Sequence, residues 1–120
     1  MKTAITIWND RISPVFDVAR NLVILEIEGN VIKQKSLEIF PGDQPERKAL
    51  RMKELGVNTL ICGAISKYVA RLISVHRIEI IPFISGETDV VIKAFLSGQL
   101  PNPRLMMPGC CRRLRKTPEN

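Results

Sequence analysis

The amino-acid sequence predicts an α/β fold, a three-layer sandwich built on a five-stranded mixed sheet with about three helices. Three observations lead there. Residues 3–8 read as a strand without a polar face, as expected for a strand covered on both sides. Two runs rich in β-branched residues, 21–27 and 31–39, flank Gly29-Asn30, a pair suited to a two-residue antiparallel turn. From residue 45 onward, segments of helical period alternate with short apolar runs, and such strand-helix-strand passages require parallel neighbours joined by right-handed crossovers.

Each element follows from local chemistry. The first strand is stopped by Asn9, Asp10, Ser13 and Pro14, so residues 9–19 form a loop with a short helical turn near its end. After the hairpin comes the loop Phe40-Pro41-Gly42-Asp43. Pro45 then opens a helix at a first-turn position, with Ala49, Leu50, Met52 and Leu55 at helical spacing and Gly56 as its end. Residues 58–62 are a short apolar strand. Ser66 is the N-cap of a helix carrying Val69, Leu72 and Ile73. Residues 78–83 make the last strand, stopped by Ser85-Gly86. The final helix starts at Glu87 or Thr88, presents Val91, Ile92, Phe95 and Leu96, and closes at Gly98. From Gln99 onward the reading is loop and tail.

A chain of 120 residues with 45% hydrophobic content fills one core and not two. We therefore expect one domain over residues 1–100 and a Pro/Arg-rich tail over 101–120. No run approaches the roughly eighteen apolar residues of a membrane span, and the N-terminus alternates polar with apolar residues instead of forming a signal-peptide core. Of three cysteines, Cys110 and Cys111 are neighbours, which argues against a disulfide framework and for reduced thiols in a cytoplasm. The formal charge is +6, but the last twenty residues supply +4 of it through Arg104, Arg112, Arg113, Arg115 and Lys116 against Glu119. With only +2 left on the body, the folded face is not expected to be a nucleic-acid platform.

Three places can carry chemistry. The loop after the first strand leaves the C-terminal sheet edge, where open α/β sheets bind ligands. There Arg11, the Ser13 hydroxyl and backbone N–H groups could hold an anion, or Asn, Asp, Ser and Pro could simply make the turn. Cys62 ends the strand Leu60-Ile61-Cys62-Gly63 on the same edge. It reads either as a small buried hydrophobe or as a ligand, and Gly63 allows something to approach the backbone closely. Cys110 and Cys111 carry the most chemistry, because adjacent thiols behind Pro108-Gly109 have little packing role and the neighbouring arginines favour the thiolate that ligates soft metals. Two thiolates do not close a four-ligand site. The remaining ligands would come from His76, a second chain or the cargo. His76 otherwise reads as a helix-end residue, and Trp8 and Tyr68 as packing residues.

Residues 11–20 (RISPVFDVAR), 55–65 (LGVNTLICGAI) and 94–98 (AFLSG) together resemble the dinitrogenase iron–molybdenum cofactor biosynthesis proteins, which include NifX-type carriers and the C-terminal domain of NifB-type proteins. The resemblance covers about residues 1–100. It implies a ribonuclease H-like fold and binding or delivery of an iron–sulfur or iron–molybdenum cluster between donor and acceptor proteins; nitrogen fixation is the family's associated process, and membership alone does not imply it. Many relatives have histidine where this chain has Val15 and glycine where it has Asp17, so the loop imidazole is absent here.

The reading is a non-catalytic carrier in which Cys110 and Cys111 ligate the cluster, with Cys62 an optional further ligand, while Arg11 and Ser13 offset its charge. A homodimer would supply four thiolates from the tails alone. The alternative is a nucleic-acid-associated or regulatory module using the basic tail. A nuclease would need clustered carboxylates, for which only Asp10 and Asp17 are close in sequence.

Overall fold

The structure is a computed structural model that describes residues 1–100 and 102–107. Its first strand, β1 (Lys2–Trp8), is followed by β2 (Arg11–Ile12) and a 3-10 turn (Phe16–Val18). The hairpin β3 (Asn21–Glu28) and β4 (Val31–Ile39) comes next. Three helices, α1 (Pro45–Glu54), α2 (Lys67–Ser74) and α3 (Thr88–Leu96), are separated by β5 (Thr59–Ile61) and β6 (Glu79–Ile81). A second 3-10 turn spans Pro103–Leu105.

The sheet order is β4-β3-β1-β5-β6, with β2 paired to β1 off that path. β1 is antiparallel to β3 and parallel to β5, and β5 is parallel to β6, so the sheet is mixed as expected. It holds six strands where five were predicted. The extra one lies in the stretch read as loop, because Asn9 and Asp10 both adopt positive φ, 52° and 62°. That is the backbone of a two-residue hairpin turn, tolerated best by glycine, Asn and Asp. It folds Ile12 back onto Ile7 and Arg11 onto Trp8. The Gly29-Asn30 turn has the same signature, with φ of 51° and 67°.

Side-chain alternation along the strands divides the core into two layers. Ala4, Leu22, Ile24, Leu60 and Cys62 face α1 and α2, meeting Ala49, Met52, Val69 and Ile73. Ile5, Val23, Leu25 and Ile61 face α3, meeting Val91 and Ile92. Helices on both faces of one sheet make three layers. Ser66 caps α2 as predicted, its Oγ accepting from Val69 N–H at 3.3 Å. At the outer edge of the hairpin β4 is exposed along most of its length and carries Lys33 and Lys35, charges that discourage edge-to-edge pairing. Among the described residues no helix is long and apolar enough to cross a membrane.

Candidate functional site

The loops that follow β1, β5 and β6 all leave the same sheet edge, and the backbone stitches them into one platform. Ser13 N–H donates to Thr6 O at 2.9 Å, holding the first loop over its own strand. Ala64 N–H donates to Pro14 O at 2.8 Å and Phe16 N–H to Ala64 O at 2.7 Å, which joins the first loop to the second. Phe83 N–H to Gly63 O (2.9 Å) and Ile84 N–H to Cys62 O (2.9 Å) join the second to the third. The chain returns there once more, with Ser85 N–H donating to Leu105 O at 2.6 Å and Met107 N–H to Phe83 O at 2.8 Å.

Gly63 is required at the first junction. A Cβ built on it would collide with Ser13 O and lie 2.5 Å from Pro14 O. The close approach that glycine allowed in the sequence is therefore an approach by the Ser13-Pro14 backbone.

Residues 16–19 are set by a residue that sequence reasoning missed. Lys48 is fully buried, and its Nζ donates to Phe16 O (3.1 Å), Asp17 O (2.9 Å) and Ala19 O (2.7 Å). It also lies 5.3 Å and 5.2 Å from the ring centroids of Phe16 and Phe40. Those rings meet edge to face at 5.8 Å. Burial lowers the Lys48 pKa below lysine's ordinary value, while Asp43 and Asp17 act to raise it. The available signal was its place on α1: Lys48, Ala49 and Met52 share the buried stripe, so a lysine stood where an apolar side chain was due. Asp17 anchors the far side of the turn, its Oδ1 accepting from Ser66 N–H at 3.3 Å.

A cavity of about 590 Å³ opens above this loop, lined by Trp8, Ser13, Pro14, Val15, Val18 and Arg20 among others. Trp8, expected to pack inside, is 59% exposed because it ends β1 beyond the cover of the helices. It also borders a smaller cavity of about 390 Å³ with Leu37 and Ile39, both exposed. Tyr68 is on the surface as well, its hydroxyl donating to Glu46 at 2.7 Å.

Of the residues singled out in the sequence, Ser13 lies on the cavity wall and is buried. Cys62 sits directly behind, next to Gly63, fully buried among the residues facing α1 and α2. Burial, with a smaller contribution from Asp17, pushes its thiol up to about 12, so it is neutral at physiological pH. Arg11 is on β2, where its backbone forms an isolated antiparallel β-bridge with Glu87 before α3, and it is outside the lining of this cavity. His76 follows the C-terminus of α2, which runs against the strands, and so lies at the opposite sheet edge. Cys110 and Cys111 lie outside the described residues. Among the described residues no three His, Cys, Asp or Glu side chains group to hold a metal ion. The described platform offers polar backbone and side-chain groups beside an open cavity.

Comparison with known proteins bears on the chain's family. Residues 1–98 match the family model described as dinitrogenase iron-molybdenum cofactor. The chain is 32% identical over 100 residues to MJ0327, an uncharacterized protein of Methanocaldococcus jannaschii, across 83% of this chain and 91% of that one. A crystal structure of the M. jannaschii protein superposes with a TM-score of 0.65 at 30% identity, covering 82% of this chain and 90% of that one. The crystal structure of PH0822 gives a TM-score of 0.77 at 24% identity, over 82% and 93% of the two chains. The apo form of the orange protein from Desulfovibrio gigas gives 0.66 at 17% identity, over 90% and 93%. The last two likenesses speak to the fold alone.

Proposed function

The chain belongs to the dinitrogenase iron–molybdenum cofactor family, and from that premise we propose that it is a non-catalytic carrier of an anionic metal–sulfur cluster. In this reading residues 1–100 form the receptor and residues 101–120 an arm that brings Cys110 and Cys111 as thiolate ligands. One observation carries it: the chain returns at Met107 to the platform that also holds Ser13, its N–H donating to Phe83 O. Cys110 is three residues further on, within about 11 Å at full extension. That reach would let both thiols meet the sheet edge where the cavity opens.

From the cavity wall the Ser13 hydroxyl and Arg20, which Asp43 holds at 3.1 Å, would meet the cluster's charge, while Arg11 lies outside that wall. Cys62 joins the ligand set only if the Gly63–Ser13 contact opens and the thiol loses its proton. Four thiolates from two tails would complete the site without it, so loading favours a homodimer. The exposed apolar side chains of Trp8, Val18, Leu37 and Ile39 are where donor and acceptor proteins would dock. Such a carrier works in a reducing cytoplasm, where its thiols stay free.

The test is anaerobic reconstitution with iron and sulfide of the parent and of the Cys110→Ser/Cys111→Ser variant, followed by absorption, iron content and sedimentation. Thiolate-to-iron charge-transfer bands in the parent alone, on a species of dimer mass, are the expected result. Equal loading of both proteins would reject the tail as the site, and an iron-free parent would reject the carrier function.

A further inference from the structure

The small net charge of the folded body hides a separation of charge between its two sides. Residues 44–77, which include α1 and α2, hold seven basic side chains against two acidic ones, a net charge of +5. The rest of residues 1–100 carries a net −3. Its acids include Asp10, Glu87 and Asp89, which meet around one groove at the start of α3, the helix that covers the other face of the sheet.

α1 and α2 lie side by side, joined by the Tyr68 hydroxyl on Glu46. Four cations stand exposed on them, Arg47, Lys53, Lys67 and Arg71, and none is ion-paired among the described residues. The two acids of this layer are engaged, Glu46 by Tyr68 and Glu54 by Arg51 at 3.7 Å. Fold stability does not account for the arrangement. Like charges on one face repel, and Lys67 sits in the first turn of α2, which holds no acid although the helix dipole favours one there.

A second, independent feature lies among the cations. Leu50, Tyr68 and Val75 are 48%, 57% and 75% exposed on the same two helices. Scattered exposed apolar side chains are ordinary, but these share the outward arcs with the cations. Leu50 is three residues from both Arg47 and Lys53, and Tyr68 and Val75 are three and four from Arg71. An apolar centre within a charged rim is the anatomy of a protein interface. A nucleic acid would need stacking aromatics, and the single aromatic of these helices, Tyr68, is tied to Glu46. A second copy fits no better, because a two-fold contact would set the four cations against themselves.

We propose that the outer face of α1 and α2 docks an acidic partner protein, whose carboxylates pair with the four cations and whose apolar side chains cover Leu50, Tyr68 and Val75. None of these residues lines the Trp8 cavity, so partner and cargo have separate places.

The experiment follows amide resonances of the full, reduced, metal-free chain carrying Arg112→Gln/Arg113→Gln/Arg115→Gln, which removes competition from the tail. The probe is a peptide repeating Glu-Glu-Leu, beside the same peptide with serine for leucine and an oligothymidylate of equal charge. The Glu-Glu-Leu peptide should shift Leu50, Tyr68, Arg71 and Val75 and bind about tenfold tighter than either control, the factor that burying about one leucine side chain provides. Adding Arg47→Gln/Lys67→Gln/Arg71→Gln should weaken it about tenfold at low ionic strength, as three exposed ion pairs would, and less at high salt. Adding Leu50→Ser/Tyr68→Ser instead should also weaken it about tenfold, with the salt dependence kept. No shifts on α1 and α2 in the parent, or unchanged affinity in either variant, would overturn the proposal. Equal binding of the oligothymidylate would assign the face to polyanions in general, and shifts on concentrating the protein without peptide would assign it to a second copy; either overturns it. Because no cluster is present, the outcome is independent of the carrier reading.

Discussion

Cys62 and Gly63 are neighbours with opposite demands on their surroundings. The Cys62 thiol is sealed among apolar side chains, so the folded protein keeps its proton up to about pH 12, whereas the unfolded chain loses it near the ordinary value of 9.0. Below pH 9 both states are protonated and the contribution to stability is constant. Between the two values only the unfolded state ionises, so stability falls by up to about 1.4 kcal/mol per pH unit. Unfolding measured at pH 8 and pH 10.5 should show the parent losing about 2 kcal/mol more than Cys62→Ala over that interval. An equal loss in both would mean that the thiol is open to solvent. Gly63 is bound by space: Gly63→Ala must displace the Ser13-Pro14 backbone and should lower stability by about 1–3 kcal/mol. A shift of the denaturant midpoint within error of zero would show that the loop yields freely. The sequence marked both residues, since glycine after an apolar cysteine signals a close approach, but what approaches is some fifty residues away along the chain.

At the scale of elements, the loop between β1 and β3 is held by α1. Three carbonyls of residues 16–19 converge on one ammonium, and that convergence gives a short segment a single conformation. In Lys48→Met an apolar chain of similar length replaces the buried charge, so the desolvation penalty disappears along with the hydrogen bonds, and global stability should change by less than about 2 kcal/mol. The local effect should be larger. Amide exchange of Ala19, whose N–H bonds to Phe16 O, should quicken by about tenfold or more as the loop loses its clasp. Unchanged exchange would mean that the turn is self-supporting. Helix periodicity located α1, the Ser66 cap located α2, and the Gly29-Asn30 turn located the hairpin, because each of those signals is local. β2 was missed because it is two residues long, and Asn9-Asp10 reads as a loop breaker as readily as a hairpin turn.

Over the whole molecule, a platform at one sheet edge emerges from elements far apart in the chain. The order β4-β3-β1-β5-β6 puts β1 between the antiparallel hairpin and the parallel pair. Ser13, Gly63 and Phe83 thereby become neighbours, and the chain is carried back to them at Met107. By itself the sequence determined the α/β class, the mixed sheet, the three helices and the family resemblance, all of which rest on periodicity, turn chemistry and motifs read over a few residues. Tertiary structure alone decided the burial of Cys62, the clasp of Lys48 on the loop, the exposure of Trp8 and the meeting of Asp10 with Glu87 and Asp89. Those depend on which distant segments share a face of the sheet, and neither composition nor spacing encodes that until the strands are placed in order.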